Sequence, residues 1–576
     1  MEIKISKNFI EQVKALAQSP YLIDAVLVLA VFLSIETTIL SLAHGFIVAY
    51  GDAESHLNIP KRVVDSLTPG FAQLGGIWLP LPHLLMIPFV KIEFLYRTGL
   101  AGSIVSGISF IVASIFIYKL GYFLTKNRFA GFVAFLVFVT NPNMLYLQST
   151  PMTEPVLICF FVLSSYYFIR FARVALRGKH KEEIDVLESG REVKYLLLAS
   201  FFGFCASISR YDGWFLVLVE AALIPAIYLP YDKYSSVIEK AGKVKGVLSI
   251  IKHKLYLTRK NFTKLQGLTV LFATLAFLGI VGWFAWDGLI LGDPFYFKDS
   301  QYSAEVQQQA WLKRNELPAM HNLPVAFGYY YVDTMANVGV VFFDIALVGS
   351  GYYLIKKRNA LAFVVSIVLM IPFIFNVISL FLGQSVIFIP ELTPASYEWR
   401  LFNVRYGILM LPGVAIFVGY LFQDIKFNGK LLLLFLAIVQ FGLYASGYSK
   451  IVTLADGING LSSAKRTGVE TWMKSHYDGG LVLMDDYARS VSIIGSGIPM
   501  QDVIYVGNKP YWDESMQAPE KYAQWIVIQQ NDAVWKGIYT NNYLRGRLYK
   551  YFVKVYTSPE VLVFERNSQV SSALNP

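Results

Sequence analysis

Two carboxylates and an imidazole stand within five positions, at Asp52, Glu54 and His56, directly after an apolar stretch over Tyr21–Ala49. Charge placed so close to hydrocarbon is costly and is kept for chemistry or for a strong partner. In an extended segment Asp52 and Glu54 would share one face. There they could hold a divalent metal (Mg, Mn or Zn) through hard oxygens, with His56 or His83 as further ligands, or one of them could take a proton from an incoming hydroxyl. Glu154, in Ser149-Thr150-Pro151-Met152-Thr153-Glu154-Pro155, is another candidate acid, although a helix start favours a carboxylate for electrostatic reasons alone. Arg210, before Tyr211-Asp212, and Arg405, before Tyr406, offer planar forks that suit phosphate oxygens. The plainer readings are an Arg210–Asp212 pair that ties two helices together and an Arg405 that snorkels to the membrane interface.

These groups need a scaffold, and the composition says which kind. The chain has 576 residues, 55% of them hydrophobic, with a mean hydropathy of +0.48, against roughly 45–50% apolar for a soluble protein. Apolar runs of about 18 residues or more read as membrane spans. About eleven are present, near 21–48, 99–119, 129–146, 155–170, 195–210, 212–230, 267–290, 336–355, 360–383, 403–422 and 431–449. The first is too long for a signal peptide and reads as an uncleaved span. Glu36 within it is expected to pair inside the bundle. Cys159 and Cys205 fall inside apolar runs and read as buried small hydrophobes.

The net charge of +10 is concentrated in every second loop, at Lys4–Lys14, Lys126–Arg128, Arg170–Lys194, Lys233–Lys264, Lys356–Arg358 and Lys426–Lys430. The positive-inside rule then places the N-terminus and these loops in the cytoplasm. The alternate loops lie outside, including 50–98 with its acids and everything after Ser449. Short basic segments flanking spans suit anionic lipid better than nucleic acid.

Within the first outer loop, Leu57–Leu67 reads as an interfacial amphipathic helix with Lys61, Arg62 and Asp65 on its wet side. After about residue 450 the long apolar runs stop. Short strands are expected at Leu481–Met484, Val503–Val506, Trp525–Gln529 and Val553–Tyr556 with Val561–Phe564, and helical patterns at Ala464–Ser475 and Pro519–Gln524. The division is therefore a membrane domain over 1–449 and a small extracytoplasmic α/β domain over 450–576, an ordinary domain size. No GxxxxGK[ST], HExxH or GxSxG motif occurs, which removes the common NTPase, zinc-protease and serine-hydrolase readings.

Taken together, the acidic Gly51-Asp52-Ala53-Glu54, the basic Pro60-Lys61-Arg62, Thr153-Glu154-Pro155 and Arg405-Tyr406 with Leu411-Pro412 resemble the GT-C superfamily of polytopic membrane glycosyltransferases. The nearest branch is that of the protein O-mannosyltransferases and lipid A aminoarabinose transferases. The resemblance covers roughly 20–450. It implies inverting transfer of a sugar from a polyprenyl- or dolichyl-phosphate donor to a hydroxyl on protein, glycan or lipid at the outer membrane face. Asp52, Glu54 and Glu154 would be the catalytic acids; Arg405, Tyr406, Arg210, Lys61 and Arg62 would stabilise the donor phosphate. The chain departs from that pattern in three ways. One residue separates its two acids, no lysine accompanies Leu79-Pro80-Leu81-Pro82-His83 (leaving that role vacant or to His83), and only Tyr511-Trp512-Asp513 stands where oligosaccharyltransferases carry Trp-Trp-Asp. Transfer to asparagine is thereby disfavoured. The competing class is a secondary transporter or lipid-linked sugar flippase, for which Asp24 and Glu36 inside the first span would be the working charges.

Overall fold

The computed structural model describes residues 19, 21–178, 186–228, 262–301, 303–461, 467–487 and 490–567. The basic run Lys4–Lys14, most of Lys233–Lys264 and the first part of the helix expected at Ala464–Ser475 lie outside them. The chain is a multi-pass membrane protein. Among the described residues seven helices are long and apolar enough to cross a membrane, or nine if each of two bent pairs counts as one span.

The helices that matter for the site are α1 (Leu22–Ala43), α2 (Gly51–Asp65), α3 (Leu100–Thr125), α4 (Glu154–Gly178), α5 (Val186–Ser207), α6 (Asp212–Tyr228), α7 (Leu323–Val338), α8 (Val340–Lys357), α9 (Leu411–Asp424) and α10 (Val452–Asn459). Helix α1 carries only Asp24 and Glu36 as charges, and both side chains lie on its exposed face. Glu36 is therefore not paired within the bundle. It sits on a face that hydrocarbon-facing residues such as Phe32, Ile35 and Ile39 share.

Bends bring distant chain segments to one end of the bundle. The helix Arg128–Val139 turns by 66° into Pro142–Gln148, and α7 turns by 112° into α8. The second bend falls at Gly339, whose φ of 91° a side chain would resist. Asparagines lock these corners. Asn141 and Asn143 both donate to the Asn337 carbonyl, at 2.9 and 3.0 Å, and the Asn143 side chain accepts from the Thr453 amide at 3.0 Å. Helix α3 spans the bundle from this end, where Ser103 donates to the Ser149 carbonyl at 2.6 Å, to the basic end at Lys126–Arg128.

The C-terminal segment forms the α/β unit read from the sequence. Its five-stranded sheet has the order β2-β1-β3-β5-β4, with β1 (Val482–Leu483), β2 (Val503–Ile504), β3 (Trp525–Gln529), β4 (Phe552–Thr557) and β5 (Val561–Arg566). Strand β1 runs parallel to both β2 and β3, while β3, β5 and β4 pair antiparallel. Pro519–Gln524 is a single 3₁₀ turn at Pro519–Lys521, because β3 begins too soon for a second turn.

This unit is fastened to the segment that follows α1. The Glu54 carboxylate accepts from the Ser492 hydroxyl at 2.6 Å and the Ile494 amide at 3.1 Å, and Arg97 donates to the Ile493 carbonyl at 2.7 Å. Arg62 pairs with Asp486.

Candidate functional site

Helix α2 starts at Gly51, so Asp52 and Glu54 lie in its first turn instead of in an extended segment. First-turn acids complement the helix dipole, and at about 100° per residue two positions apart they point to nearly opposite faces. Asp52 turns into the membrane bundle and Glu54 into the C-terminal unit. The expected shared face is not formed.

Asp52 accepts from Arg405 Nη2 at 2.8 Å. The same guanidinium donates from Nε to Glu154 at 3.0 Å, and its Nη1 stands 3.8 Å from Asp456 Oδ2. Arg210 completes the cluster: it donates to the same Glu154 oxygen at 2.9 Å and to Thr153 at 3.0 Å, and pairs with Asp212 at 3.3 Å. The Tyr406 ring lies 5.0 Å from the Arg210 guanidinium and 5.2 Å from that of Arg405, and the Tyr50 ring lies 5.2 Å from Arg405. Of the residues singled out in the sequence, the structure thus brings Asp52, Glu154, Arg210, Arg405 and Tyr406 together from distant parts of the chain. Arg210 both pairs with Asp212, the plainer reading, and reaches Glu154.

Local structure explains how Arg405 gets there. It sits on a 3₁₀ turn, Val404–Met410, that leads into α9. Gly407 lets this turn lie against α7, since a Cβ there would come 2.4 Å from the Asp333 carbonyl oxygen. Asn337 of α7 donates to the Val404 carbonyl at 2.6 Å and pins the turn. Arg405 is thus buried rather than snorkelling.

Asp456, on α10, is the site residue that the sequence reading missed. It is fully buried, and among the described residues neither carboxylate oxygen has a hydrogen-bond partner. Burial, reinforced by Asp52 and opposed by Arg405, pushes it up to about 7. The available signal was an acid among Val452, Leu454 and Ile458, in a segment otherwise read as the polar start of the outer domain. Asp52, Glu154, Asp212 and Asp456 together face only two guanidiniums.

The remaining candidates go elsewhere. Lys61 is buried and pairs with Glu93 at 2.8 Å and Asp65 at 3.1 Å, so it is not on the wet face of α2 and does not join the Arg405 cluster. Arg62, also buried, is engaged by Asp486. His56 and His83 face each other, Nδ1 to Nε2 at 3.0 Å. Burial and the neighbouring His56 hold His83 well below the usual imidazole range, so it is a neutral partner in the pair and no stand-in for a lysine. Asp52, Glu54, His56 and His83 therefore do not converge as metal ligands. Asp52 is held by an arginine, Glu54 caps a turn in the other unit, and the imidazoles bond to each other. No group of three or more His, Cys, Asp or Glu suited to a metal occurs among the described residues.

Two cavities meet at Asp52 and Trp78. The larger, about 790 Å³, has Arg210, Arg405 and Tyr406 at its polar end and Phe215, Leu218, Phe375 and Leu382 along its wall. The smaller, about 540 Å³, is lined by Ser55, Arg62, Gln73, Tyr296, Tyr487 and Tyr505, so the C-terminal unit forms part of it.

No protein-family profile and no curated protein matches the chain by sequence. Solved structures do match. ArnT from Cupriavidus metallidurans, crystallised with undecaprenyl phosphate bound, superposes with a TM-score of 0.50 at 10% identity, over 93% of this chain and 98% of that one. An oligosaccharyltransferase from Archaeoglobus fulgidus in its apo form superposes with a TM-score of 0.48 at 12% identity, over 96% of this chain and 75% of that one. The chain thus shares its fold with ArnT.

Proposed function

We propose that the protein transfers a sugar from a polyprenyl-phosphate-linked donor to a hydroxyl acceptor, with inversion. One observation carries this reading: a cavity walled by apolar side chains ends on the buried Arg405, the half-buried Arg210 and a carboxylate. That is the complement of a lipid tail, its phosphate and a reacting hydroxyl. The undecaprenyl phosphate bound in ArnT, which shares the fold, is of the same chemical class.

In this mechanism the lipid tail lies along Phe215, Leu218 and Phe375, and the phosphate takes hydrogen bonds from Arg405 and Arg210. Asp52 accepts a bond from Arg405, and a phosphate on that guanidinium competes for the same N–H group. Asp52 then accepts the proton of the acceptor hydroxyl. The hydroxyl oxygen attacks the anomeric carbon opposite the phosphate through a transition state of oxocarbenium character. The electron pair of the broken bond goes to the phosphate, and the arginines stabilise the charge developing there. Glu154 holds both guanidiniums through one oxygen and acts by positioning them. The smaller cavity, across Asp52, receives the acceptor.

The site would face the non-cytosolic side. The support is that α3 runs from the site end to Lys126–Arg128, so a basic loop marks the opposite end of the bundle. Helices α5 and α6 would complete eleven spans. The transporter alternative drew on Asp24 and Glu36, but both lie on the outer face of α1, away from the cavities.

The test is the purified full-length protein in lipid nanodiscs with a polyprenyl-phosphate sugar radiolabelled in the sugar. Label moving to a hydroxyl acceptor or to water with inverted anomeric configuration is the expected result. Label that crosses the bilayer still attached to its lipid would overturn the reading in favour of a flippase.

A further inference from the structure

Asp456 has no part in the mechanism above, yet it stands within the Arg405 cluster. Its carboxylate is fully buried and 3.8 Å from Arg405 Nη1, a guanidinium nitrogen that itself has no hydrogen-bond partner among the described residues. It does not line either large cavity, so it acts on a ligand only through Arg405. The groups around it are known from every element packed on α10. Arg405 comes from the 3₁₀ turn before α9, Asp52 and Tyr50 from the start of α2, Glu154 from α4, Tyr146 from the helix Pro142–Gln148, and Asp333 from α7. One cation thus faces several acids around a fully buried carboxylate.

We propose that Asp456 takes up a proton when a lipid phosphate docks on Arg405, so that filling the donor cavity is coupled to protonation of a positioning residue that never touches the ligand. The proposal rests on the reading of that cavity as a lipid-phosphate site. The argument is one of charge. The cluster already holds more carboxylates than guanidiniums, and a phosphate adds a further anion beside Arg405. A buried like charge disfavours ionisation of its neighbour, and among the acids around Arg405 it is Asp456 whose carboxylate is fully buried with no hydrogen bond from a described residue to hold it ionised, whereas Asp52 and Glu154 accept from arginines and Asp333 from Asn337; burial pushes it up to about 7. The proton comes from solvent and no covalent bond changes.

The sign of the linkage follows. With the phosphate bound, the Asp456 pKa lies above its ligand-free value of about 7. Between those two values binding takes up a proton, so affinity falls as pH rises, by up to about tenfold per pH unit for one linked proton. Below about 7 Asp456 is protonated in both states and affinity is flat in this respect.

The experiment is calorimetry of undecaprenyl phosphate binding to the full-length protein in nanodiscs, from pH 6.5 to 9, in buffers of different ionisation enthalpy. Proton uptake approaching one per lipid above pH 7, with the affinity slope just given, is expected for the native chain. For Asp456→Asn, checked for unchanged thermal unfolding, both should vanish while affinity above pH 7 rises. A phosphate monoester has its own ionisation near pH 6, and the variant separates the two, since only uptake by Asp456 disappears with it. Binding without proton uptake in the native chain would overturn the proposal, whatever the variant does. So would an unchanged slope in a folded Asp456→Asn. Absence of binding at any pH is a different result and would remove the proposed function itself.

Discussion

Arg405 and Arg62 are both buried arginines beside a cavity, and they are built in opposite ways. Arg62 has one acid, Asp486, and its guanidinium lies against the Tyr487 and Tyr505 rings at 5.1 and 4.4 Å. Its charge is matched and its faces are covered. Arg405 bonds to two acids, faces a third, and opens onto the larger cavity. A buried charge pair can serve structure simply by being complete, and losing one partner is then expensive because the other is stranded. A buried cluster with surplus acids is costly at rest and is relieved by rearrangement or by a ligand, which is the mark of a working site. Burial alone does not separate the two arginines; the local charge count does.

The largest effect should come from Asp52→Asn. If Asp52 is the general base, transfer falls by roughly 10²–10⁴-fold, while expression and binding of undecaprenyl phosphate persist. A radiolabel transfer assay on the purified variant measures it, and transfer at the native rate would end the assignment. Next comes Arg405→Lys, which keeps the charge but loses the fork that joins Asp52 to Glu154. The loss of a donor to the developing phosphate charge should cost about 10²–10³-fold in turnover, with undecaprenyl phosphate binding weakened as well.

The matched arginine should behave differently. Arg62→Met strands Asp486 and should destabilise the contact between the C-terminal unit and α2 by about 3–5 kcal/mol, read as earlier thermal unfolding or protease entry. Affinity for undecaprenyl phosphate should stay within about threefold, because Arg62 does not line the larger, apolar-walled cavity. Adding Asp486→Leu should recover much of the lost stability, since a buried ion pair can be replaced by apolar packing at little cost. If Arg62→Met instead abolished lipid phosphate binding, the distinction between the two arginines would be wrong.

The sequence made this division only in part. Strands were legible because all five begin and end within two residues of the expected limits, where β-branched and aromatic runs are bounded by turn residues. The gathering of Asp52, Glu154, Arg210 and Arg405 was legible from charge at span ends. Three things were not. Period-two reasoning on Asp52 and Glu54 assumed an extended segment, but Gly51 opens a helix there. Lys61 and Arg62 were read as solvated because nothing local reveals that Glu93 and Asp486 would come to meet them. Asp456 was overlooked because its partner lies 51 residues earlier in the chain, on the far side of two apolar helices, a meeting that no local pattern foretells.

Glu54 gives the smallest expected effect and the finest test of the comparison. It is two residues from the proposed base and matches the acidic motif of the resemblance, so motif logic makes it catalytic. Geometry makes it a clamp: both of its oxygens are taken by the turn Ser492–Ser496, and it lines neither cavity. A carboxylate that caps backbone and hydroxyl donors contributes about 1 kcal/mol, with a range of roughly 0.5–2. Glu54→Gln should therefore lower thermal stability slightly and leave transfer within about threefold of native, and Glu54→Ala should deepen the first effect without changing the second. A hundredfold loss of transfer in a well-folded Glu54→Gln would mean that this helix face, and not only the Asp52 face, reaches the chemistry. The contrast between a balanced clamp and an overcrowded site would then fail at the point where the two are separated by a single residue.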